Sequence, residues 1–266
     1  VLRHAGVIRL VGVATPRELE AYAGYPSEAM RIAAVVALRR LRAVKELTAF
    51  VNDASPQVMS DAVRAIYDEA APQTFVEHPK ALAAVAAALD PQHSVSVNVR
   101  AIAANRRLGT IASAKRISGF LATPNLSRAL RVEALYALQS WPQASTLDPI
   151  DGRYFPIPAG DLDTLSAAIG PEIWSLANDA DDKVSRRAIA VLQSIKPNKA
   201  QRDQVAGFVL DEGQRSTVRK AWLRWLRKQD LALFTSVGVK ALYSKSPELR
   251  VVAAQELTEA KQGRSA

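Results

Sequence analysis

The chain has 266 residues, of which 48% are hydrophobic, only 6% are aromatic and 12 are glycine, and this composition argues against a sheet-rich sandwich or barrel. It contains no cysteine, which excludes disulfides, thiolate metal sites and haem attached through a C-x-x-C-H motif. A net charge of +9 at pH 7 favours an acidic partner, such as nucleic acid, anionic lipid or an acidic protein surface. No apolar run reaches the length needed to cross a bilayer.

A nine-residue pattern recurs eight times, with an aliphatic residue in its first and ninth positions and a small residue in its fifth. The fifth positions are Gly6, Ala34, Ala62, Ala101, Ala134, Ala188, Trp222 and Ala253. The ninth positions are Leu10, Leu38, Ile66, Asn105, Leu138, Leu192, Leu226 and Leu257. Residues four and eight positions apart share one face of an α-helix, so each copy predicts one amphipathic helix that a neighbouring helix approaches closely.

Six of the seven intervals between fifth positions span 28 to 39 residues, which is the spacing of stacked helix pairs. The first copy begins at Leu2, so we expect the chain to start inside a repeat and to belong to a longer polypeptide. Partner helices are expected between the copies, at Pro16–Ala23, Ala43–Asn52, Pro79–Leu89, Ala112–Ala122, Leu162–Asn178, Lys199–Leu210 and Asp230–Ser244.

Serine and proline mark the predicted helix ends. The Ser-Pro pairs at 55–56 and 246–247 predict an N-cap followed by proline in the first turn of a helix. Five other prolines are expected in turns: Pro72, Pro91, Pro124, Pro142 and Pro197.

Arginine holds the second position in five of the eight copies, and aspartate precedes the second helix in others. These residues are Arg3, Arg31, Arg131, Arg219 and Arg250, with Asp53, Asp90 and Asp179. The pattern resembles HEAT repeats, including those of the PBS-lyase kind, in which such residues form a ladder between neighbouring repeats. Over nearly the whole chain this resemblance implies one all-α domain, residues 1–266. The expected fold is a right-handed, armadillo-like α-solenoid of about eight stacked antiparallel helix pairs.

The remaining interval, between the fifth and sixth copies, is 54 residues long because of a stretch at 142–163 that is rich in proline and glycine. We expect a long insertion loop, which is either functional or a surface excursion pinned by its own apolar side chains. Its carboxylates are expected to form Asx turns, with Arg153 pairing one of them, because the stretch lacks the alternating ligands of a calcium loop. The candidate binding residues of the loop are Asp148, Asp151, Arg153 and Tyr154.

A narrower resemblance rests on two segments, LRVEALYALQSWPQASTLDPIDGRYFPI at 130–157 and SPQVMSDAVRAIYDEA at 55–70. They are similar to the HEAT region of large bacterial multidomain proteins, in which a sugar-dehydrogenase-like β-propeller precedes the repeats and a c-type cytochrome module follows them. The resemblance implies a non-catalytic interaction or spacer domain in a periplasmic or exported protein. Its partner would be another protein or the neighbouring domains of the same polypeptide, and no cofactor is expected on this chain.

The segment at 214–229, QRSTVRKAWLRWLRKQ, predicts a helix with one apolar and one basic face. The basic stripe consists of Lys220, Arg224, Arg227 and Lys228. On the inner row of a solenoid, such a stripe is suited to a phosphate backbone or an acidic partner. The alternative is a solvated face above core tryptophans.

The same basicity supports a second hypothesis, a HEAT-like nucleic-acid-binding protein or DNA glycosylase. Such an enzyme requires a carboxylate beside an aromatic platform. The candidates are Trp174 with Asp179, Asp181 or Asp182, and Trp222 or Trp225. The alternative is that the aspartates cap a helix and the tryptophans lie in the core.

The histidines His4, His78 and His93 lack the spacing of metal ligands, so no metal site is expected. No nucleophile triad, phosphate-binding glycine loop or dinucleotide fingerprint is present, so no catalytic residue is assigned.

Overall fold

The computed structural model describes residues 2–69, 72–195 and 197–262, without the side chains of residues 2–4, 69 and 262. The expectations for Leu2, Arg3 and His4 as side chains therefore lie outside the described residues. The chain divides into two compact units, Val1–Gly170 and Pro171–Ala266. Each unit is described separately below.

The first unit consists of helices and one two-stranded antiparallel sheet in its described part. Its helices are α1 (Leu2–Val13), α2 (Pro16–Glu20), α3 (Glu28–Arg40), α4 (Val44–Leu47), α5 (Pro56–Glu69), α6 (Pro72–Glu77), α7 (Pro79–Ala87), α8 (Val95–Leu108), α9 (Ile111–Leu121), α10 (Arg128–Gln139) and α11 (Leu162–Ala168). Its strands are β1 (Ser145–Leu147) and β2 (Tyr154–Ile157). Short 3-10 turns at Ala21–Gly24 and Thr48–Phe50 extend α2 and α4.

The second unit is helical throughout its described secondary structure. Its helices are α12 (Pro171–Leu176), α13 (Asp182–Ser194), α14 (Lys199–Leu210), α15 (Ser216–Gln229), α16 (Leu231–Ala241) and α17 (Pro247–Gln262). No helix in the described part of either unit is both long enough and apolar enough to span a membrane.

Each copy of the nine-residue pattern lies in a single helix, and the predicted all-α fold class is confirmed. In the first unit the pattern helices α1, α3, α5, α8 and α10 pack side by side in chain order, and in the second unit α13, α15 and α17 do the same. The partner helices form a second layer, in which α2 packs against α4, α4 against α7, α9 against α11, and α14 against α16. The alanines of the fifth position are at most 1% exposed, because neighbouring helices meet there.

The predicted helix starts at both Ser-Pro pairs are confirmed. The hydroxyl oxygen of Ser55 accepts the amide of Val58 at 3.4 Å, and α5 begins at Pro56. The hydroxyl of Ser246 likewise accepts a backbone amide three residues later, at 3.3 Å, at the start of α17. These bonds satisfy amides that have no partner inside the helix.

One rung of the expected ladder joins neighbouring repeats, where Arg31 Nε donates to Asp53 Oδ2 at 2.7 Å. Two other arginines of the second position find different acceptors. Arg219 pairs with Glu212 at 2.8 Å, while Arg250 donates to the carbonyl oxygen of Ser244 at 2.8 Å. The second position of the pattern therefore orients an arginine toward a repeat junction, but the acceptor differs from repeat to repeat.

Two expectations about local structure are wrong. The helix predicted at Leu162–Asn178 is broken between α11 and α12, because the ring of Pro171 disfavours helical backbone at Gly170 while suiting the first turn of a new helix. For the same reason Pro72 begins α6 instead of lying in a turn. The expected insertion at 142–163 is present and contains the β1–β2 hairpin.

Candidate functional site

The hairpin turn at 148–153 is closed by its own backbone and by one aspartate. The amide of Asp148 donates to the carbonyl of Arg153 at 2.9 Å, and the amide of Gly152 donates to the carbonyl of Asp148 at 3.0 Å. Gly152 has φ +70°, a conformation that favours glycine. The expected Asx turn is observed, since Asp148 Oδ1 accepts the amide of Ile150 at 2.9 Å.

The same aspartate anchors the hairpin to the helical stack through a buried ion pair. Arg107 Nη2, at the end of α8, donates to Asp148 Oδ2 at 2.6 Å, and only 3% and 1% of the two side chains are exposed. The hydroxyl of Tyr67 on α5 donates to the same carboxylate oxygen at 2.8 Å. Three elements that are remote in sequence therefore meet at one carboxylate.

Two aromatic rings enclose the Arg107 guanidinium. Its central carbon lies 3.8 Å from the ring centroid of Tyr67 and 3.6 Å from that of Phe155 on β2. Two rings this near must lie on opposite faces of the cation, where cation–π attraction is strongest. The Nε and Nη1 atoms of Arg107 have no hydrogen-bond partner among the described residues, so the carboxylate and the two rings provide its stabilisation.

This environment changes two pKa values in opposite directions. Burial raises the pKa of Tyr67 well above its ordinary value of 10.0, outweighing the charge of Arg107. Burial also acts to raise the pKa of Asp148, but the charge of Arg107 and the hydrogen bonds of Tyr67 and Arg107 lower it below 3.8. The aspartate is therefore held as an anion and the tyrosine as a neutral donor.

Arg106, next to Arg107 on α8, holds both ends of the insertion through main-chain oxygens. It donates to the carbonyls of Ser140 at 3.1 Å, Gln143 at 2.6 Å and Pro158 at 3.2 Å. Burial lowers the pKa of Arg106 below its ordinary value. The three carbonyl oxygens partly offset its positive charge. Because two of them lie near the start of the insertion and one near its end, a single guanidinium fixes both ends of the insertion to α8.

A cleft of about 270 Å³ lies between the anchored hairpin and helices α8 and α10. Arg106 of α8 and Ile157 of β2 line it, as do Glu133 and Tyr136 of α10. Tyr136 is 41% exposed, and Leu147 of β1 is 55% exposed at the same cleft. The cleft therefore combines a mixed polar and apolar lining with two accessible large side chains.

The four candidate residues of the insertion are not brought together at this cleft. Asp148 lines it, but its oxygens are already used by the turn, Tyr67 and Arg107. Asp151 and Arg153 pair with each other at 2.6 Å in the hairpin turn, as the spacing suggested. Tyr154 is 71% exposed and lies outside the residues that line the cleft.

The four residues of the basic stripe of α15, in the second unit, are also not brought together at one cleft. Lys220 and Arg224 line a second cleft, of about 280 Å³, between α13 and α15. Arg224 Nε also pairs with Glu256 of α17 at 2.9 Å, and Arg227 Nε lies 3.0 Å from the same carboxylate. Lys228 is exposed and does not line the cleft.

The tryptophans of the glycosylase hypothesis form a buried cluster. Trp174 stacks on Trp222 with centroids 5.8 Å apart, and Trp225 meets both rings edge-on. Their exposed fractions are 6%, 0% and 1% in sequence order, so none presents a platform to a base. The indole nitrogens of Trp222 and Trp225 have no hydrogen-bond partner among the described residues.

The neighbouring aspartates form turns and ion pairs. Asp181 Oδ1 accepts the amides of Lys183 and Val184 at the start of α13, which is an N-cap. Asp182 pairs with Arg215. Within the described residues, no three His, Asp or Glu side chains are grouped so that they could hold a metal ion.

Sequence reasoning did not single out Arg106, Arg107 and Tyr136 as a site, although the pattern contained a signal. Asn105 occupies a ninth position that is otherwise aliphatic, and it is fully buried. Its amide nitrogen donates to two main-chain carbonyls and its oxygen accepts from Arg116 at 2.8 Å. A polar residue at a core position, followed directly by two arginines, marks the helix end at which the insertion docks.

In each unit the pattern helices stack on one another and the partner helices form a second layer, and this arrangement is that of an all-α helical-repeat protein. Among solved structures, the chain is similar to two designed armadillo repeat proteins. One, in complex with the peptide (KR)4, is 15% identical with a TM-score of 0.43, over 96% of this chain and 97% of that chain. The other is 18% identical with a TM-score of 0.35, over 92% of this chain and 98% of that chain. No protein-family model and no curated protein matches the chain.

Proposed function

We propose that this chain is a non-catalytic helical-repeat module that binds a protein segment in the cleft beside the inserted hairpin. The observation that carries the proposal is the anchoring of the hairpin by Arg106 and Arg107, two buried cations of one helix end. Because the hairpin is fixed in this way, its side of the cleft is already ordered before a ligand binds. Binding then loses less free energy to the ordering of a loop.

The dimensions and lining of the cleft favour an anchoring side chain over a free cofactor. A volume of about 270 Å³ is below the range of about 300–1,000 Å³ usual for small-molecule sites. Its accessible large side chains are Tyr136 and Leu147; tyrosine is a typical central residue of protein interfaces, and Leu147 adds exposed apolar surface. A partner segment with one apolar side chain, inserted between hairpin and α10, fits this arrangement.

The finer part of the proposal concerns the protein to which the module belongs. The stretch that resembles the HEAT region of bacterial dehydrogenase–cytochrome proteins, Leu147–Tyr154, includes the turn of the anchored hairpin. We accordingly place the chain in such a protein, exported from the cell, with a neighbouring domain of the same polypeptide as the partner. The chain on its own would then show no sugar-oxidising turnover.

The test uses the purified chain and short overlapping peptides that cover the polypeptide encoded on either side of it. Binding is measured by fluorescence anisotropy for the wild type and for Leu147→Asp and Tyr136→Ala. Each substitution is expected to weaken a binding peptide about tenfold, which corresponds to about 1.4 kcal/mol. The matched control is Tyr154→Ala, because Tyr154 is exposed on the same hairpin but outside the cleft.

Two results would contradict the proposal. One is an equal loss of binding in the Tyr154 control, which would place the contact elsewhere on the hairpin. The other is reproducible turnover of sugars by the purified chain without added protein.

A further inference from the structure

The second unit contains a cleft with an apolar floor and a basic rim, separate from the hairpin cleft. It lies between α13 and α15 and has a volume of about 280 Å³. Ile189 and Val218 form its floor, since they are only 4% and 3% exposed. Three cations stand around it: Arg186, Lys220 and Arg224.

The carboxylate that lines this cleft is already engaged. Asp182 pairs with Arg215, whose guanidinium also donates to main-chain oxygens of the preceding turn. Arg186 Nε donates to the backbone carbonyl of Asp182 at 3.1 Å and has no carboxylate partner among the described residues. Its positive charge is therefore available to a ligand.

The other two cations are only partly compensated by nearby carboxylates. The positive charge of Lys220 acts through space on the carboxylate of Glu248, which also accepts a hydrogen bond from the hydroxyl of Ser246 at 3.3 Å. Arg224 pairs with Glu256, which Arg227 also contacts, and Arg227 has a second partner in Glu259; 53% of the Arg224 side chain remains exposed. The rim of the cleft thus carries more positive than negative charge.

We propose that this cleft binds an acidic segment of a partner protein in which one apolar side chain is flanked by aspartate or glutamate. The apolar side chain enters above Ile189 and Ala221, which also lines the floor of the cleft, and the flanking carboxylates meet Arg186 and Lys220. Complementary charge of this kind sets orientation and raises the rate of encounter. The proposal does not depend on the hairpin cleft, because its residues all belong to the second unit.

A protein segment fits this cleft better than nucleic acid does. Single-stranded bases stack on exposed aromatic rings, whereas the floor is aliphatic and the tryptophans of α15 are buried.

The experiment measures fluorescence anisotropy of a labelled peptide that has one leucine between glutamates, with the purified full chain at low salt. A second peptide carries glutamine in place of each glutamate, and a third carries alanine in place of the leucine. The wild type is expected to bind the first peptide at least about tenfold more tightly than the second. Circular dichroism verifies that every variant remains folded.

Paired charge reversals locate the site. Arg186→Glu with Lys220→Glu should weaken the acidic peptide about tenfold or more, whereas Lys228→Glu, on the same helix but outside the cleft, should change it by less than about twofold. Ala221→Gln, which fills the floor without changing charge, should remove the preference for leucine over alanine. Equal losses from Lys228→Glu, absence of peptide binding by the wild type, or displacement of the peptide by duplex DNA at lower concentration would each overturn the proposal.

Discussion

Arg107 and Asp148 are 41 residues apart in the chain, yet they form an ion pair of 2.6 Å from which water is almost excluded. Each charge would be costly to bury without the other. Their pairing fixes the insertion, and with it the cleft to which we assign binding.

Asp148→Asn keeps the size of the side chain but leaves Arg107 as a buried cation without a counter-charge. The free energy of unfolding is expected to fall by about 3–5 kcal/mol, measured by urea denaturation. The control is Asp151→Asn, which removes the exposed pair with Arg153 and should cost about 1 kcal/mol or less. Equal losses in the two variants would mean that the buried pair does not hold the hairpin.

Glu212 makes the second unit sensitive to acid. The hydrogen bonds of Arg219, followed by that of Ser244, lower the pKa of Glu212 from 4.5 to about 2. Because the pKa is lower in the folded chain, its stabilisation is present above pH 4.5 and is lost as the pH falls from 4.5 to about 2. Glu212→Gln should flatten this part of an acid titration followed by tryptophan fluorescence; an unchanged profile would contradict the assignment.

Trp222 occupies a position where six of the other seven repeats have alanine, yet alanine is not expected to be tolerated there. The ring is fully buried and stacks on Trp174 at 5.8 Å, so Trp222→Ala would leave a cavity. The expected loss is about 3–5 kcal/mol in the free energy of unfolding. Tyr243→Ala, in the same unit and 86% exposed, provides the comparison. A loss at Trp222 no larger than at Tyr243 would show that the cluster repacks.

Gly160 lies where the insertion returns to the helices, and its amide donates to the carbonyl of Trp141 at 2.7 Å. A Cβ at this position would lie 2.5 Å from Cδ1 and 2.9 Å from the carbonyl oxygen of the fully buried Trp141. Gly160→Ala is expected to lower the free energy of unfolding by about 1–3 kcal/mol.

The matched control for this substitution is Gly119→Ala on α9, where an added Cβ meets nothing within 4 Å. This change should raise stability by about 0.5–1 kcal/mol, because alanine favours helix. Thermal unfolding distinguishes the two variants, and the same direction of change in both would contradict the close approach at Trp141.

The helices were predictable from the sequence because their information is local. A buried face recurs every three to four residues in each copy, and serine before proline marks where α5 and α17 begin. The break before Pro171 was equally local and could have been predicted from the Gly-Pro pair.

The clefts were not predictable in the same way, because their residues are brought together by packing. In the sequence, Arg107 is one of two adjacent arginines that would be expected to face solvent. In the structure, side chains of α5 and the hairpin enclose it. Spacing within α15 placed Lys220 and Arg224 on one face, but it contained no information about Glu256 on the neighbouring helix. Partners that come from another repeat are specified by tertiary contact alone.

The dependence of Arg106 on three carbonyl oxygens limits how the insertion can be removed or transplanted. A shortened chain in which the insertion at 142–163 is cut out would leave two guanidinium groups at the end of α8 without partners, one without two of its three carbonyls and the other without its carboxylate. Deletion is therefore tolerable only if both arginines are replaced at the same time. Grafting the hairpin onto another helical repeat likewise requires the pair of arginines to accompany it.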